Sequence, residues 1–216
     1  PKAVNLIAKA TGKVITTGTG KSFNICTKIS SSLSSLGTPS AAYDSSSLNH
    51  GSMGSIQKGS DVLLIFSVSG ETSELNSILR FSNRNNIPVV GVSCKSSSML
   101  LRFSSIKILL PKVTEVGQSL APTSSSLNFL SWGDCLAIAC MKRKKFTNKK
   151  FILNHPSGTL ATALINSRSQ TLQSTSMYLS RQEKLLAYPT SFLTRNSQRN
   201  CNLPRRISIL DMLQNE

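Results

Sequence analysis

Apolar and polar positions in the first 165 residues switch repeatedly between two periods. Residues 13–17 (KVITT) form a short β-branched run that ends at Gly18. Over 21–36, Ile25, Ile29, Leu33 and Leu36 recur at the spacing of one helix face, and Gly37-Thr38-Pro39 stops that helix. Residues 40–43 offer a short strand, and 45–54 a polar loop or a short turn of helix. The run 61–66 (DVLLIF) is almost continuously apolar, as expected of a strand buried on both faces of a parallel sheet. Helical spacing returns over 74–85, with Leu75, Ile78 and Leu79 on one face. Further strands are expected at 88–92 (PVVGV) and 106–110 (IKILL). Residues 123–145 predict a long helix with Leu127, Leu130, Ala137, Ile138 and Met141 on its stripe. Strands alternating with helices in this way imply βαβ units and an α/β, doubly wound, mainly parallel five-stranded sheet flanked by helices. Ligands of such sheets sit outside the carboxyl ends of the strands.

Beyond residue 165 the periodicity fades into Ser, Gln, Arg and Asn. The chain therefore reads as one domain, 1–165, followed by an irregular basic and polar tail, 166–216. The serine runs share no period and form no repeat. In 216 residues, a hydrophobic share of 39% allows a sizeable core. No apolar run approaches the roughly 20 residues needed to cross a bilayer, and residues 1–10 hold no signal-peptide core. Cys26, Cys94, Cys135, Cys140 and Cys201 form no CxxC pair and are odd in number. That argues against a disulfide framework or a zinc ribbon and fits a reducing cytoplasm.

The formal net charge of +16 suggests anionic partners. Its distribution argues against nucleic acid. One dense cluster, Lys142 to Lys145 with Lys149 and Lys150, lacks the interleaved aromatics of a base-stacking surface and reads as a solvated helix end complementing the dipole.

Two turns at expected strand ends carry chemistry. Gly18-Thr19-Gly20-Lys21-Ser22 follows a strand and opens a helix, which aims backbone N–H groups at an anion. A P-loop would need glycine at position 15, where Ile15 stands, so the signature fails; a plain tight turn is the alternative. The run Ser67-Val68-Ser69-Gly70-Glu71-Thr72-Ser73-Glu74 offers four hydroxyls and helix-start amides for a phosphate monoester. A capping box accounts for one hydroxyl and one acid of this set. Glu115 follows the strand at 106–110, where an acid suits proton transfer, although a lone loop Glu is commonly just solvated. His50 and His155 are the only histidines, and no metal-ligand spacing occurs.

Taken together, these residues resemble the sugar isomerase (SIS) fold, and within it the arabinose 5-phosphate isomerases of the KpsF/GutQ type. The matching segments are GTGKS at 18–22, GTPS at 37–40, NHGSMG at 49–54, SVSGETSE at 67–74, TE at 114–115, LAPTSS at 120–125, WGDCLA at 132–137 and NHPSGTL at 154–160. The resemblance implies interconversion of ribulose 5-phosphate and arabinose 5-phosphate through a cis-enediolate, feeding 3-deoxy-octulosonate and lipopolysaccharide synthesis. It implies no metal, no organic cofactor, and a homotetramer. By position it assigns Lys21, Glu74, Glu115 and His155 as catalytic: Glu115 carries the C1/C2 proton, His155 serves ring opening in a neighbouring subunit's site, and Lys21 and Glu74 position hydroxyls and polarise the carbonyl. Ser22, Ser67, Ser69, Thr72, Thr123 and Ser124 would bind the phosphosugar.

The sequence departs from the family's pattern at Val68 (usually Asn), Phe23 (usually Gly) and 157–161, where two glycines are lost. The tail does not read as the CBS domains that follow in many relatives; it reads as a truncated or reframed terminus. A second reading is a SIS-type phosphosugar-binding module without chemistry. Regulators of this fold carry a helix-turn-helix, and too few residues precede position 13 for one. Amidotransferase-type isomerases fit poorly, for want of an N-terminal nucleophilic cysteine and a glutaminase domain.

Overall fold

The computed structural model of the chain describes residues 1–118 and 120–156. The chain divides into two units, Pro1–Ser167 and Arg168–Glu216. All described residues belong to the first; the tail expected over 166–216 lies outside them.

Five strands form one parallel sheet: β1 (Val14–Gly18), β2 (Ser40–Asp44), β3 (Val62–Phe66), β4 (Val89–Ser93) and β5 (Ile106–Leu109). Their spatial order is β2-β1-β3-β4-β5. The three central strands are buried at every position, which is why they read as apolar runs without alternation. The edge strand β5 alternates half-buried and exposed residues, and Leu109 faces solvent.

Each face of the sheet has its own core. Successive strand residues point to opposite faces: Val14, Val62, Leu64, Phe66 and Val90 serve one core, and Ile15, Leu63, Ile65 and Val89 the other. The first core is covered by α1 (Lys2–Lys9), α2 (Lys21–Ser35) and α6 (Ser124–Arg143). The second is covered by α3 (Ser45–Asn49), α4 (Leu75–Arg84) and α5 (Met99–Phe103). A further helix, α7 (Asn148–Asn154), follows α6 and is capped by the Thr147 hydroxyl, which accepts from the Lys150 amide.

The expected helical faces of α2 and α4 are the buried ones: Ile25, Ile29 and Leu33 on α2, and Leu75, Ile78 and Leu79 on α4. The stripe expected on α6 is corrected. Ala137 is buried as expected and Leu130 packs half-buried on the core, but Leu127 and Ile138 are exposed, and the helix also buries Ser125, Phe129, Gly133, Leu136 and Cys140. Small residues let α6 approach α2 closely. A Cβ on Gly133 would come within 2.2 Å of Ile29 Cδ1. Three short helices, α1, α5 and α7, carry too few turns to show a period, and the sequence reading passed over them.

At the amino edge of the sheet the segments entering β1 and β3 are clasped. Asp61, 1% exposed, accepts from the Lys13 amide at 2.8 Å, the Lys13 ammonium at 3.0 Å and the Gln57 amide at 2.9 Å. Burial works against its charge, but the Gln57 and Lys13 donors outweigh it and hold the carboxyl below its ordinary value.

Candidate active site

In this strand order, chain connections leave β1 toward β2 and reach β3 on the other side. The reversal puts a crevice at the carboxyl ends of β1 and β3, where doubly wound folds bind ligands. The two chemically loaded turns flank that crevice, since β1 ends at Gly18 and β3 at Phe66.

After β1, Gly20 adopts φ +58° and the chain turns into α2. The Ser22 amide is used within the turn, donating to the Thr19 carbonyl at 3.2 Å. Lys21 is exposed in the first turn of α2, a turn without an acid, and its ammonium has no partner among the described residues. A cation there opposes the positive end of the helix dipole.

After β3, the hydroxyl of buried Ser67 accepts from the Gly70 amide at 3.0 Å and bonds the Thr72 hydroxyl at 2.9 Å. Gly70 sits at φ +64°, and a Cβ there would meet Ser98 at 2.5 Å, so only glycine fits this turn against β4. Ser69 is exposed and accepts from the Glu71 amide at 3.3 Å. Ser67 therefore braces the turn, while Ser69, half-buried Thr72 and the exposed Val68 form its surface. Glu74 is the exposed N-cap residue of α4. Its own amide and then the Ser73 hydroxyl, at 2.8 Å, hold its carboxyl below the usual value. Asn49 ties the turn to α3 by donating to the Glu74 carbonyl at 3.0 Å.

Glu115 belongs to the irregular segment between β5 and α6. Its carboxylate accepts from the Thr123 amide at 2.6 Å, the Thr123 hydroxyl at 2.9 Å and the Ser125 amide at 3.3 Å. It thus caps α6 from outside that helix. The Ser125 hydroxyl first, then the Thr123 amide, lowers its carboxyl to about 2. Burial, and after it the charge of Glu115, raises the Cys94 thiol just past the end of β4, so Glu115 stands near the carboxyl edge of the sheet. Ser124 is half-buried in the first turn of α6. One turn further, Phe129 packs on Phe66 with ring centroids 5.4 Å apart, which fixes the start of α6 beside the Ser67 turn.

His155 lies elsewhere. Its Nδ1 is 2.8 Å from the Phe151 carbonyl, its Nε2 is 2.9 Å from the Ser35 hydroxyl, and its ring stacks on Phe151 at 4.1 Å. Lys21 opens α2 and Ser35 closes it. At 1.5 Å per residue, about 21 Å of helix axis separates them. Within one chain the structure gathers the segments bearing Lys21, Ser22, Ser67, Ser69, Thr72, Glu74, Glu115, Thr123 and Ser124 at one edge of the sheet and leaves His155 at the other. Among the described residues no cluster of three or more His, Cys, Asp or Glu could hold a metal ion. No described helix is long and apolar enough to cross a membrane.

Ser125 falls in the LAPTSS segment at 120–125, but the sequence reading gave it no role. Its position beside a helix start is the local signal, but its partner is an acid ten residues upstream, which no capping rule connects.

A parallel sheet with a hydroxyl-lined switch point and a lysine at a helix start defines a doubly wound α/β domain. Residues 6–139 match the SIS domain family, and the chain belongs to it. It is 38% identical over 154 residues to arabinose 5-phosphate isomerase KdsD of Francisella tularensis, covering 71% of this chain and 47% of that protein. It is 35% identical over 166 residues to arabinose 5-phosphate isomerase GutQ of Escherichia coli K12, covering 76% and 51%. The chain thus spans about half the length of the curated relatives it matches. An Escherichia coli CFT073 protein solved in complex with the phosphosugar arabinose 5-phosphate superposes with TM-score 0.69 at 31% identity, over 72% of this chain and 82% of that one. The Vibrio vulnificus NanR protein, at 18% identity and TM-score 0.61 over 73% and 60%, shares the fold.

Proposed function

We propose that this chain is the isomerase part of a sugar-phosphate aldose–ketose isomerase acting on D-ribulose 5-phosphate and D-arabinose 5-phosphate. The observation that carries the reading is Lys21, an ammonium without a partner among the described residues, set against a helix dipole beside the hydroxyl turn after β3. Such a placement costs stability and gains its purpose from a ligand. The phosphate rests on the Ser67–Glu74 turn, with Ser69, Thr72 and the helix-start amides outermost; Ser22, Thr123 and Ser124 contribute at the other helix starts.

Glu115 removes a proton from C1 of the open-chain ketose. The C1–H electrons form the C1=C2 bond of a cis-enediolate, and the carbonyl electrons move onto the C2 oxygen. Lys21 supports that oxyanion, and Glu74 orients hydroxyls. A proton then passes from the C1 hydroxyl to the C2 oxygen, the O1 electrons form the new C1 carbonyl, and the C1=C2 electrons take the proton back from Glu115 at C2, giving the aldose. His155 serves ring opening and, given its place in the chain, does so in a neighbouring subunit of a homo-oligomer, a tetramer by resemblance. The proposed setting is the cytoplasm, in keeping with four free cysteines among the described residues, and the proposed pathway leads to 3-deoxy-octulosonate and lipopolysaccharide.

The test is incubation with ribulose 5-phosphate in D2O followed by proton NMR. The expected result is arabinose 5-phosphate deuterated at C2, with Glu115→Gln slower by about 10²- to 10⁴-fold. A folded chain that neither exchanges nor isomerises refutes the reading. The second reading, a binding module without chemistry, is favoured by one observation: a carboxylate already saturated by donors is a weak base. It predicts phosphosugar binding without deuterium uptake.

A further inference from the structure

His155 is held on both ring nitrogens within its own chain. Nδ1 lies 2.8 Å from the Phe151 carbonyl oxygen, Nε2 lies 2.9 Å from the Ser35 hydroxyl, and the ring stacks on Phe151. A carbonyl oxygen only accepts, so Nδ1 carries a proton. In the neutral ring the lone pair is then on Nε2, and the Ser35 hydroxyl donates to it. The neighbouring Asn154 side chain donates to the Ser35 carbonyl at 3.3 Å, so the end of α7 is fastened to the end of α2 at this one residue. The Phe146 ring lies against Gly37, where it leaves no room for a Cβ, and secures the same joint. Ser35 and His155 are both half-buried, so the pair is open to a ligand. An imidazole with Nδ1–H on an orienting acceptor and Nε2 on a hydroxyl is the arrangement in which a base activates that hydroxyl.

Neither ring nitrogen is left for a sugar hydroxyl, whereas the Ser35 oxygen donates one proton and still has a lone pair to accept another. Resting on the isomerase reading, with His155 as its ring-opening group, we infer that Ser35 is the catalytic hydroxyl of that step, relaying a proton between the sugar and His155 Nε2. As the furanose of arabinose 5-phosphate opens, the anomeric O1–H proton passes to the Ser35 oxygen while the Ser35 proton passes to Nε2. The O1–H electrons become the second bond of the C1 carbonyl, and the C1–O4 bonding pair goes to O4. The reverse relay, from Nε2 through Ser35, delivers the proton to O4 and restores both side chains. The Phe151 carbonyl accepts from Nδ1–H throughout and steadies the imidazolium formed in between.

The test reads ring opening separately from isomerisation, on the full chain. Arabinose 5-phosphate is brought to equilibrium with the protein, and exchange between its two furanose anomers, which passes through the open chain, is followed by exchange NMR. The unaltered chain accelerates that exchange over buffer. Ser35→Ala lowers the acceleration by about 10²-fold or more, as does His155→Ala, and Ser35→Thr, which keeps a hydroxyl, keeps most of what alanine loses. Alanine suits a helix end, so the Ser35→Ala chain folds. Deuterium uptake from ribulose 5-phosphate slows far less in Ser35→Ala, because that ketose carries its phosphate on O5 and enters open. In the same variant the His155 ring protons still contact Phe151 and the ring nitrogens still report the Nδ1–H tautomer. Undiminished anomer exchange in Ser35→Ala overturns the relay. So does a His155 ring that leaves Phe151, or uptake that falls as far as exchange, since either makes Ser35 a structural support. An unaltered chain that accelerates no exchange overturns both the relay and the ring-opening role of His155, while deuterium uptake still decides the isomerase reading by itself.

Discussion

Lys21 and Asp61 are charges with opposite histories. The Lys21 charge sits where the fold does not want it, so Lys21→Ala should leave Tm unchanged or raise it slightly, by the equivalent of about 0.3–1 kcal/mol. The same change should lower kcat/KM for ribulose 5-phosphate by roughly 10- to 100-fold, the loss of a charge-assisted bond. Calorimetry and kinetics on one preparation check both, and a fall in both together would mark Lys21 as merely structural. Asp61 is the reverse case, a buried carboxylate that accepts from donors on both oxygens. Its carboxyl is lowered in the fold, so its stabilisation is complete above the ordinary value of about 3.9 and is lost as pH falls through the lower folded one. Asp61→Asn should cost about 3 kcal/mol at pH 7 and should flatten the loss of stability on acidification below about pH 4, as read by denaturant titration. At this scale the sequence shows the polar inventory well. Lys21, Ser69, Thr72 and Glu74 are local to turns that the period change marks out. The tie between Ser125 and Glu115 was not legible, because it joins residues that only packing brings together.

Among the elements, α6 teaches the most. Its larger apolar residues form a plausible stripe, yet Leu127 and Ile138 face solvent. The stripe that is buried is made of smaller residues, with Phe129 and Leu136 between them. Hydrophobic periodicity weights a position by size, whereas a close helix pair selects for its absence. Gly133 is the clearest instance. Gly133→Val should push Ile29 out of place and cost about 1–3 kcal/mol, a fall in Tm of roughly 3–10 °C, with Ile29→Ala partly restoring it. The strands were legible for the complementary reason. Residues in β1, β3 and β4 are covered on both faces, so their apolar runs needed no phase to be recognised, and their ends fell within a residue or so of the expected ones.

For the whole molecule, α2 acts as a spacer between two chemistries. With Lys21 at one end and the Ser35 partner of His155 at the other, a single chain cannot supply both to one ligand. If the site is completed across subunits, as proposed, Glu115→Gln and His155→Ala chains are each inactive alone. Unfolded and refolded together, they should recover about one quarter of full activity, the share of intact sites in a two-fold symmetric mixture. Mixing without recovery would place His155 outside the chemistry. The sequence pointed to the α/β class and to the loaded edge of the sheet. The order β2-β1-β3-β4-β5, and with it the crevice between β1 and β3, came only with the structure, because no residue pattern records which buried strand lies beside which.

That order also sets a timetable. β1 is the first strand to be made, and both its neighbours come later: Thr16 pairs with Ala42 on one side and with Leu64 on the other. The clasp that seats β1 against β3 closes over 48 residues, from Lys13 to Asp61. At cellular synthesis rates those residues take roughly 2 to 10 seconds to appear. Until β2 follows, this interior strand is a newborn segment with two open edges, and for the rest of that time the edge facing β3 stays open. The interval is fixed by topology, and faster local folding cannot shorten it. Slower translation across residues 45–62 would lengthen it, and the yield of folded chain should fall accordingly.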